Sequence, residues 1–235
     1  GQLGSLLAEV LPRLGTLAAY DSQQCDLADP VALRRVIEQE RPAIIVNATA
    51  YTAVDQAESD AAGARRINTD APAEMARAAA AQDALLVHFS TDYVFDGRAR
   101  TPYTEESPTH PLGVYATSKL AGEQAVAAAC PRHLILRTAW LYSHRGKNFF
   151  KTMLRLAQER TELRVVNDQT GSPTYARLVA ETTLAMLQQM YPGGRLQTAR
   201  CGLYHVACGG SATWHEFASH IIRLAGLAER VRVVP

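Results

Sequence analysis

Three short runs of mostly apolar residues, 43–48, 84–89 and 133–138, are separated along the chain by longer stretches of mixed polarity. The first run, Ala-Ile-Ile-Val-Asn-Ala, is rich in β-branched side chains. Continuous apolar runs of this length predict strands that are buried on both faces, as in a parallel sheet. Because helices are predicted between the runs, the alternation favours an α/β fold with a doubly wound parallel sheet.

Two of the predicted helices have recognisable start signals. Asp29 and Pro30 open one of them, since Asp is a good N-cap and Pro suits the first helical position. Thr213 and Glu216 have the spacing of a capping box at the start of another. The same pattern predicts strands at 14–20, 163–167 and 203–207, and helices after Gly4 and at 53–82 (broken near 68–72), 115–129, 146–160 and 175–190.

These elements predict two parts of the chain. Residues 1–140 are expected to form a Rossmann-like domain that lacks its first strand. Residues 141–235 are expected to form mainly a smaller C-terminal lobe, with segments near 163–190 returning to the sheet. The last five residues form a mostly apolar segment with no closing cap, so we expect the C-terminal part to be incomplete.

Composition narrows the class of protein. The 235 residues are 47% hydrophobic and 20% charged, as expected of a globular protein. A formal net charge of +1 gives no electrostatic case for nucleic acid or an anionic membrane. No apolar run approaches the roughly 18 residues of a membrane span. The four cysteines form no Cys-x-x-Cys pair, so we expect a reduced, cytoplasmic protein.

Tyr115 and Lys119 are the first candidates for chemistry. Positions four apart share one helix face, which places the lysine ammonium beside the phenol. A free phenol titrates near pH ~10 and is a poor acid or base at neutral pH, but a neighbouring cation is expected to lower its pKa. A hydroxyl from Thr91 or Ser90, at the end of the strand before, is placed to hold a carbonyl oxygen against Tyr115. This predicts a site that moves a proton at an oxygen while another group delivers hydride.

The first residues of the chain resemble a nucleotide-binding turn. Gly1 and Gly4 lead into an apolar helix, and glycines in such a turn let a backbone approach a pyrophosphate. Asp21 follows at the distance where an acidic residue usually receives a ribose hydroxyl. The same pattern also fits a chain that binds no ligand here. Gly1 and Gly4 would then only bound the start of a helix, and Asp21 would be a polar loop residue.

A metal site is not predicted. His215 and His220 are five residues apart, about 140° around a helix, whereas the zinc motif needs a spacing of four.

Taken together, the motifs resemble the extended short-chain dehydrogenases/reductases, and among them the dTDP-4-dehydrorhamnose reductase family. The most specific are Ser-Thr-Asp-Tyr-Val-Phe-Asp-Gly at 90–97 and Val-Tyr-Ala-Thr-Ser-Lys-Leu-Ala-Gly-Glu at 114–123. The likeness covers nearly the whole chain, through the stretches 1–4, 46–55, 90–97, 114–123, 137–142, 167–174 and 202–205.

The resemblance implies that residues 1–140 form the dinucleotide-binding domain and that 141–235 form mainly the substrate-binding lobe. It also implies roles for individual residues. Tyr115 is implied to be the proton donor, Lys119 its partner, and Thr91 the hydroxyl that positions the substrate oxygen. Thr91, Asp92 and Trp140 are implied to contact the sugar. The implied nucleotide-cofactor contacts are Gly1, Gln2, Leu3, Gly4, Asp21, Asp26, Leu27, Ala50, Tyr51, Thr52, Tyr115 and Lys119.

The implied reaction is reduction of the C4 ketone of dTDP-4-dehydro-L-rhamnose to dTDP-L-rhamnose by NADPH or NADH, in the synthesis of a cell-surface polysaccharide precursor. Asp21, without a neighbouring arginine, favours NADH, but the family uses either cofactor. A related dehydratase would place Glu after Asp92, where this chain has Tyr93. The alternatives are another nucleotide-sugar reductase or epimerase, and a non-catalytic subunit resembling the regulatory subunit of methionine adenosyltransferase.

Some family members bind magnesium through glutamates at a dimer contact. The matching positions here are Leu6 and Arg177, so neither the metal nor that dimer is carried over. We expect the protein to be a monomer or a homodimer. We expect its substrate to be a dTDP-sugar.

Overall fold

The structure, a computed structural model, describes all of residues 1–235. The strands are β1 Ile44–Asn47, β2 Leu85–Thr91, β3 His133–Thr138, β4 Leu141–Tyr142, β5 Glu162–Arg164, β6 Thr170–Gly171, β7 Thr174–Tyr175, β8 Gly202–His205, β9 Ala212–Thr213 and β10 Arg232–Val234. The α-helices are α1 Gln2–Val10, α2 Pro30–Glu40, α3 Val54–Ala57, α4 Ala61–Arg65, α5 Ala71–Ala81, α6 Val114–Ala129, α7 Phe149–Glu159, α8 Ala176–Met190 and α9 Trp214–Leu224.

The central sheet has the strand order β1-β2-β3-β8. β1 pairs with β2 and β3 pairs with β8, both in parallel. Every residue of β2 is buried, as expected of an inner strand with both faces covered. The predicted α/β fold with a parallel sheet is therefore confirmed.

The chain forms two compact units that alternate along the sequence. The sheet unit comprises residues 11–137 and 184–205, and the lobe unit comprises 1–10, 138–183 and 206–235. In the sheet unit, α2, α5 and α6 contribute to one apolar core with the strands, for example through Leu33, Met75, Leu86, Val126 and Ile135. The lobe unit has its own core and three two-stranded sheets, β4-β7, β6-β9 and β5-β10.

Both predicted helix start signals are confirmed. The Asp29 side chain accepts from the backbone N–H groups of Val31 and Ala32, ahead of Pro30. Thr213 and Glu216 form a complete capping box at α9.

Residues 14–20 do not form the predicted strand. They are all exposed, and no strand pairs with them. An extended segment becomes part of a sheet only through hydrogen bonds to a neighbouring strand, which apolar composition alone does not supply. The prediction for this segment was wrong.

The helical stretch 53–82 is interrupted between α3 and α4, not near 68–72. A π-helical segment, Arg66–Asp70, joins α4 to α5 without a break. Pro72 has no N–H to donate to the Asn68 carbonyl four residues earlier, and the wider π turn accommodates this loss. The Asn68 carbonyl faces Gly122 on α6, where an added Cβ would lie 2.0 Å from its oxygen.

The strand predicted at 163–167 is shorter, and it does not return to the central sheet. β5 pairs in parallel with β10 inside the lobe unit, where Leu163 is buried. The strand that returns to the central sheet is β8.

Candidate active site

The carboxyl end of β2 and the first turns of α6 bring Thr91, Asp92, Tyr115 and Lys119 together in the sheet unit. Thr91 is the last residue of β2, and its Oγ1 accepts from the Tyr93 backbone N–H at 3.2 Å. The same oxygen lies 3.2 Å from Asp92 Oδ1, to which it donates. Ligands bind at the carboxyl ends of strands in open α/β sheets, so the location suits a substrate.

Tyr115 is a protonated phenol at neutral pH. Burial raises the pKa of Tyr115 to about 12, with the Asp92 carboxylate adding to the shift and hydrogen bonding to Thr91 offsetting part of it. The Tyr93 ring meets it edge-on, with the ring centroids 5.7 Å apart. The structure therefore equips Tyr115 to donate a proton rather than to accept one.

The sequence predicted that the Lys119 ammonium would lower the pKa of Tyr115. This prediction was wrong, because that pKa is raised. Lys119 Nζ donates to the Phe89 carbonyl at 2.6 Å, so the ammonium is engaged with β2. Only 2% of Lys119 is exposed, and burial lowers its pKa to about 8, against the opposing charge of Glu123. Helical spacing predicts the shared face but not the burial, which decides both shifts.

Asp92 is a buried carboxyl group. Burial raises its pKa to about 6, although hydrogen bonds from Thr91 and the nearby backbone favour the ionised form. At neutral pH the group carries a negative charge in a poorly hydrated place.

The predicted loop 48–52 is held by two asparagines that sequence reasoning missed. The Tyr51 backbone donates to Asn68 Oδ1 at 2.9 Å and accepts from Asn68 Nδ2 at 3.1 Å. Asn68 Nδ2 also donates to Ser118 Oγ on α6, at 3.0 Å. At the other end of the loop, Thr49 N–H donates to Asn47 Oδ1 at 3.0 Å. Ala50, Tyr51 and Thr52 therefore lie in a loop tied to the helix that carries Tyr115.

His88 completes this buried polar network. Its Nδ1 lies 3.2 Å from Asn47 Nδ2, and burial lowers its pKa well below the usual range, so the ring is neutral. The sequence did contain a signal, because His88 interrupts an otherwise apolar strand.

Glu58 caps the start of α6 from a distance. Gly113 provides no side-chain cap, and the Val114 backbone N–H donates instead to Glu58 Oε1 at 2.8 Å. Local sequence patterns do not reveal a cap that lies 56 residues away.

The acidic residues predicted to contact the cofactor organise their own turns. Asp21 Oδ1 accepts from the backbone N–H groups of Gln23 and Gln24, at 2.9 and 3.1 Å. Asp26 Oδ1 accepts from Ala28 N–H at 2.9 Å. Leu27 packs on the core of the sheet unit.

Gly1, Gln2, Leu3 and Gly4 lie at the start of α1, in the lobe unit. The Gln2 amide donates to the Leu141 carbonyl at 3.1 Å, and its oxygen lies 3.2 Å from Ser143 Oγ. Leu3 is buried. Trp140 belongs to the same unit, so the structure separates the predicted site residues between two units.

The positions that match the family's magnesium glutamates are used differently here. Leu6 is buried in the core, and Arg177 forms ion pairs with Glu9 and Glu181. The chain contains no cluster of three or more His, Cys, Asp or Glu side chains suited to a metal ion. None of its helices is both long and apolar enough to cross a membrane.

A parallel sheet, a threonine at the end of its inner strand, and a Tyr-Lys pair on the next helix together define a nicotinamide-dependent oxidoreductase of the short-chain dehydrogenase/reductase class. The family model described as the RmlD substrate binding domain matches residues 1–235. The dTDP-4-dehydrorhamnose reductase of Burkholderia thailandensis is 44% identical over 222 residues, which cover 94% of this chain and 74% of that protein. The chain belongs to the dTDP-4-dehydrorhamnose reductase family.

Solved structures are similar over the whole chain. The dTDP-4-dehydrorhamnose reductase of Bacillus anthracis, in complex with NADP, matches with a TM-score of 0.92 and 38% identity, covering 100% of this chain and 80% of that one. The enzyme of Clostridium acetobutylicum matches with a TM-score of 0.92 and 36% identity, with the same coverage.

Proposed function

We propose that this protein reduces the C4 ketone of dTDP-4-dehydro-L-rhamnose to dTDP-L-rhamnose, with hydride from NADPH or NADH. The observation that carries the proposal is the pairing of Thr91 with a buried, protonated Tyr115. Two hydroxyl groups at one strand end suit a carbonyl oxygen that must be held and then protonated. Membership of the reductase family supports the choice of sugar nucleotide.

In this mechanism the bound nicotinamide supplies the hydride, and the protein supplies the proton. Thr91 turns its single hydroxyl proton from Asp92 to O4 of the sugar and holds that oxygen by a hydrogen bond, and Tyr115 donates its phenolic proton to the same oxygen. Lys119 keeps positive charge beside the reacting centre. Asp92 and Trp140 contact the sugar.

The donor groups fit a nicotinamide nucleotide. Lys119 has three N–H donors and gives one of them to Phe89, which leaves donors for ribose hydroxyl groups. We assign the further cofactor contacts to Gly1, Gln2, Leu3, Gly4, Asp21, Asp26, Leu27, Ala50, Tyr51, Thr52 and Tyr115. Residues 1–140 would then serve mainly the nucleotide cofactor and 141–235 mainly the substrate.

The proposal includes a cytoplasmic monomer or homodimer that acts on a dTDP-sugar without magnesium. The resulting dTDP-L-rhamnose is a precursor of cell-surface polysaccharide.

Turnover of the purified full-length protein tests the reaction. We expect dTDP-4-dehydro-L-rhamnose to be required for oxidation of NADPH or NADH, and the product to be dTDP-L-rhamnose by NMR. Cofactor binding without oxidation would favour a non-catalytic binding subunit, and a different product would favour another nucleotide-sugar enzyme.

A further inference from the structure

Residues 167–174, which the mechanism leaves unused, contact Trp140 in the lobe unit. Trp140 has a backbone φ of 42°, in the left-handed region that bulky residues rarely adopt. Such a conformation persists only where the surroundings enforce it, and it is common at ligand sites. The left-handed backbone at Trp140 therefore indicates that neighbouring residues hold it in place.

Gly171 gives the indole ring its space. A Cβ added at Gly171 would lie 2.4 Å from Trp140 Cε2 and 2.6 Å from Nε1. Because the indole ring is rigid, it would have to move away as a whole. Any larger residue at position 171 is thus incompatible with the present orientation of Trp140.

Trp214 lies flat against the same ring. The two indole centroids are 3.5 Å apart and the ring planes differ by 6°. Trp214 is itself anchored, since Phe149 packs on it with a centroid distance of 4.5 Å. The orientation of Trp140 is therefore set by a ring that the lobe core holds in place.

One backbone and one side-chain hydrogen bond link residues 167–174 to Trp140 and to the N-cap beside Trp214. The Thr174 backbone N–H donates to the Trp140 carbonyl at 3.2 Å. Thr213, the N-cap of the helix that begins with Trp214, donates through Oγ1 to Asn167 Oδ1 at 2.7 Å. One short stretch thus contacts Trp140 directly and reaches the cap beside Trp214.

We propose that residues 167–174 and Trp214 form a positioning element that fixes the Trp140 indole for the deoxysugar ring of a nucleotide-sugar substrate. The inference rests on the proposed function, because the sugar contact of Trp140 is part of it. An indole offers a flat apolar face to the C–H groups of a sugar, and a ring that is already fixed avoids the cost of ordering it on binding.

The pair supplies its own spectroscopic signal. The chain has two tryptophans, and they are the two that stack. Coupling between stacked indoles gives a circular-dichroism couplet that depends on their mutual geometry. We expect this couplet in the wild type, and we expect it to persist when dTDP-L-rhamnose binds, because the ring is already fixed.

Gly171→Ala is the decisive variant, and Gly209→Ala is its matched control because a Cβ there meets nothing within 4 Å. We expect Gly171→Ala to alter the couplet and to raise the KM for the sugar nucleotide at least about tenfold, the scale expected of a misplaced substrate-positioning group. The KM for NADPH should stay within about twofold of the wild type, because Trp140 is assigned to the sugar alone. Trp214→Leu should act like Gly171→Ala, whereas Trp214→Phe should keep the sugar KM close to normal.

An altered couplet with an unchanged sugar KM in Gly171→Ala would overturn the positioning role. If that variant does not fold, the two Trp214 variants and the wild-type titration decide. A wild-type couplet that appears or inverts only with saturating dTDP-L-rhamnose also overturns the proposal, because the ring would then be ordered by the ligand. Failure of the proposed reaction is separate, since the wild type would then bind dTDP-L-rhamnose more tightly than Gly171→Ala does in calorimetry but show no sugar-dependent oxidation of NADPH.

Discussion

Tyr115 and Lys119 lie one turn apart on α6, yet burial shifts their pKa values in opposite directions. The pKa of the Tyr115 phenol rises to about 12, and the pKa of the Lys119 ammonium falls to about 8. The spacing of the two residues, and hence their shared helix face, is readable from the sequence. The direction of each shift is not, because it depends on how much water the folded chain excludes.

The lowered pKa of Lys119 predicts an alkaline limit to activity. Tyr115 stays protonated over the accessible range, so the first essential proton lost on raising the pH is that of Lys119. We expect kcat/KM to fall above about pH 8 with a single ionisation. In Lys119→Arg, kcat/KM should no longer fall over this alkaline range, because the guanidinium remains charged. The pH dependence of kcat/KM measures this difference.

A loss of folding stability through ionisation of Lys119 cannot explain the alkaline fall in kcat/KM. The pKa of Lys119 is lower in the folded chain, about 8, than its usual value of 10.5, so the unfolded chain binds more protons between these values. The contribution of Lys119 to folding stability therefore rises with pH across that window. A kcat/KM that stays constant through pH 10 in the folded wild type would contradict the role given to Lys119.

At the scale of elements, α6 is joined to the central sheet by a buried ion pair. Glu123 lies one turn beyond Lys119, and Arg137 on β3 donates to both of its carboxylate oxygens, at 2.9 and 2.6 Å. Both side chains are almost fully buried. The pair links the helix that carries Tyr115 and Lys119 to β3.

Breaking this pair should destabilise the protein strongly. We expect Glu123→Ala to cost about 3–5 kcal/mol of unfolding free energy, because it leaves the Arg137 charge buried without a partner. Denaturant unfolding measures this loss, and an apolar double replacement, Glu123→Leu with Arg137→Met, should recover most of it.

Arg155→Ala is the control, because its pair with Glu159 is exposed and should contribute only about 0.5 kcal/mol or less. Equal losses in Glu123→Ala and Arg155→Ala would show that the buried pair has no special structural role.

Elements with strong local signals were predictable, and those that depend on distant partners were not. The caps at Asp29 and Thr213 are set by neighbouring residues. The Arg66–Asp70 π turn is different, because a proline predicts disruption but not the form it takes. Glu58 and Asn68 act on residues far away in the sequence, so no local pattern marks them.

At the scale of the whole molecule, the chain divides into units that are not continuous in sequence. Periodicity predicted the α/β class and most of the helices, because both follow from local burial. It did not predict that residues 1–10 would group with the lobe unit, or that β8 would return to the central sheet. Such groupings are set by long-range packing, which a single sequence pattern does not contain.

The claim that the molecule is an enzyme, with Tyr115 as its proton donor, is tested most directly by Tyr115→Phe. The control is Tyr191→Phe, which removes a hydroxyl 3.4 Å from the Ala43 carbonyl, before β1 at the amino edge of the sheet. Turnover of dTDP-4-dehydro-L-rhamnose should fall at least about 10²-fold in Tyr115→Phe, whereas NADPH affinity should fall far less, because Tyr115 is one of many contacts assigned to the cofactor. Full turnover in Tyr115→Phe would contradict the account.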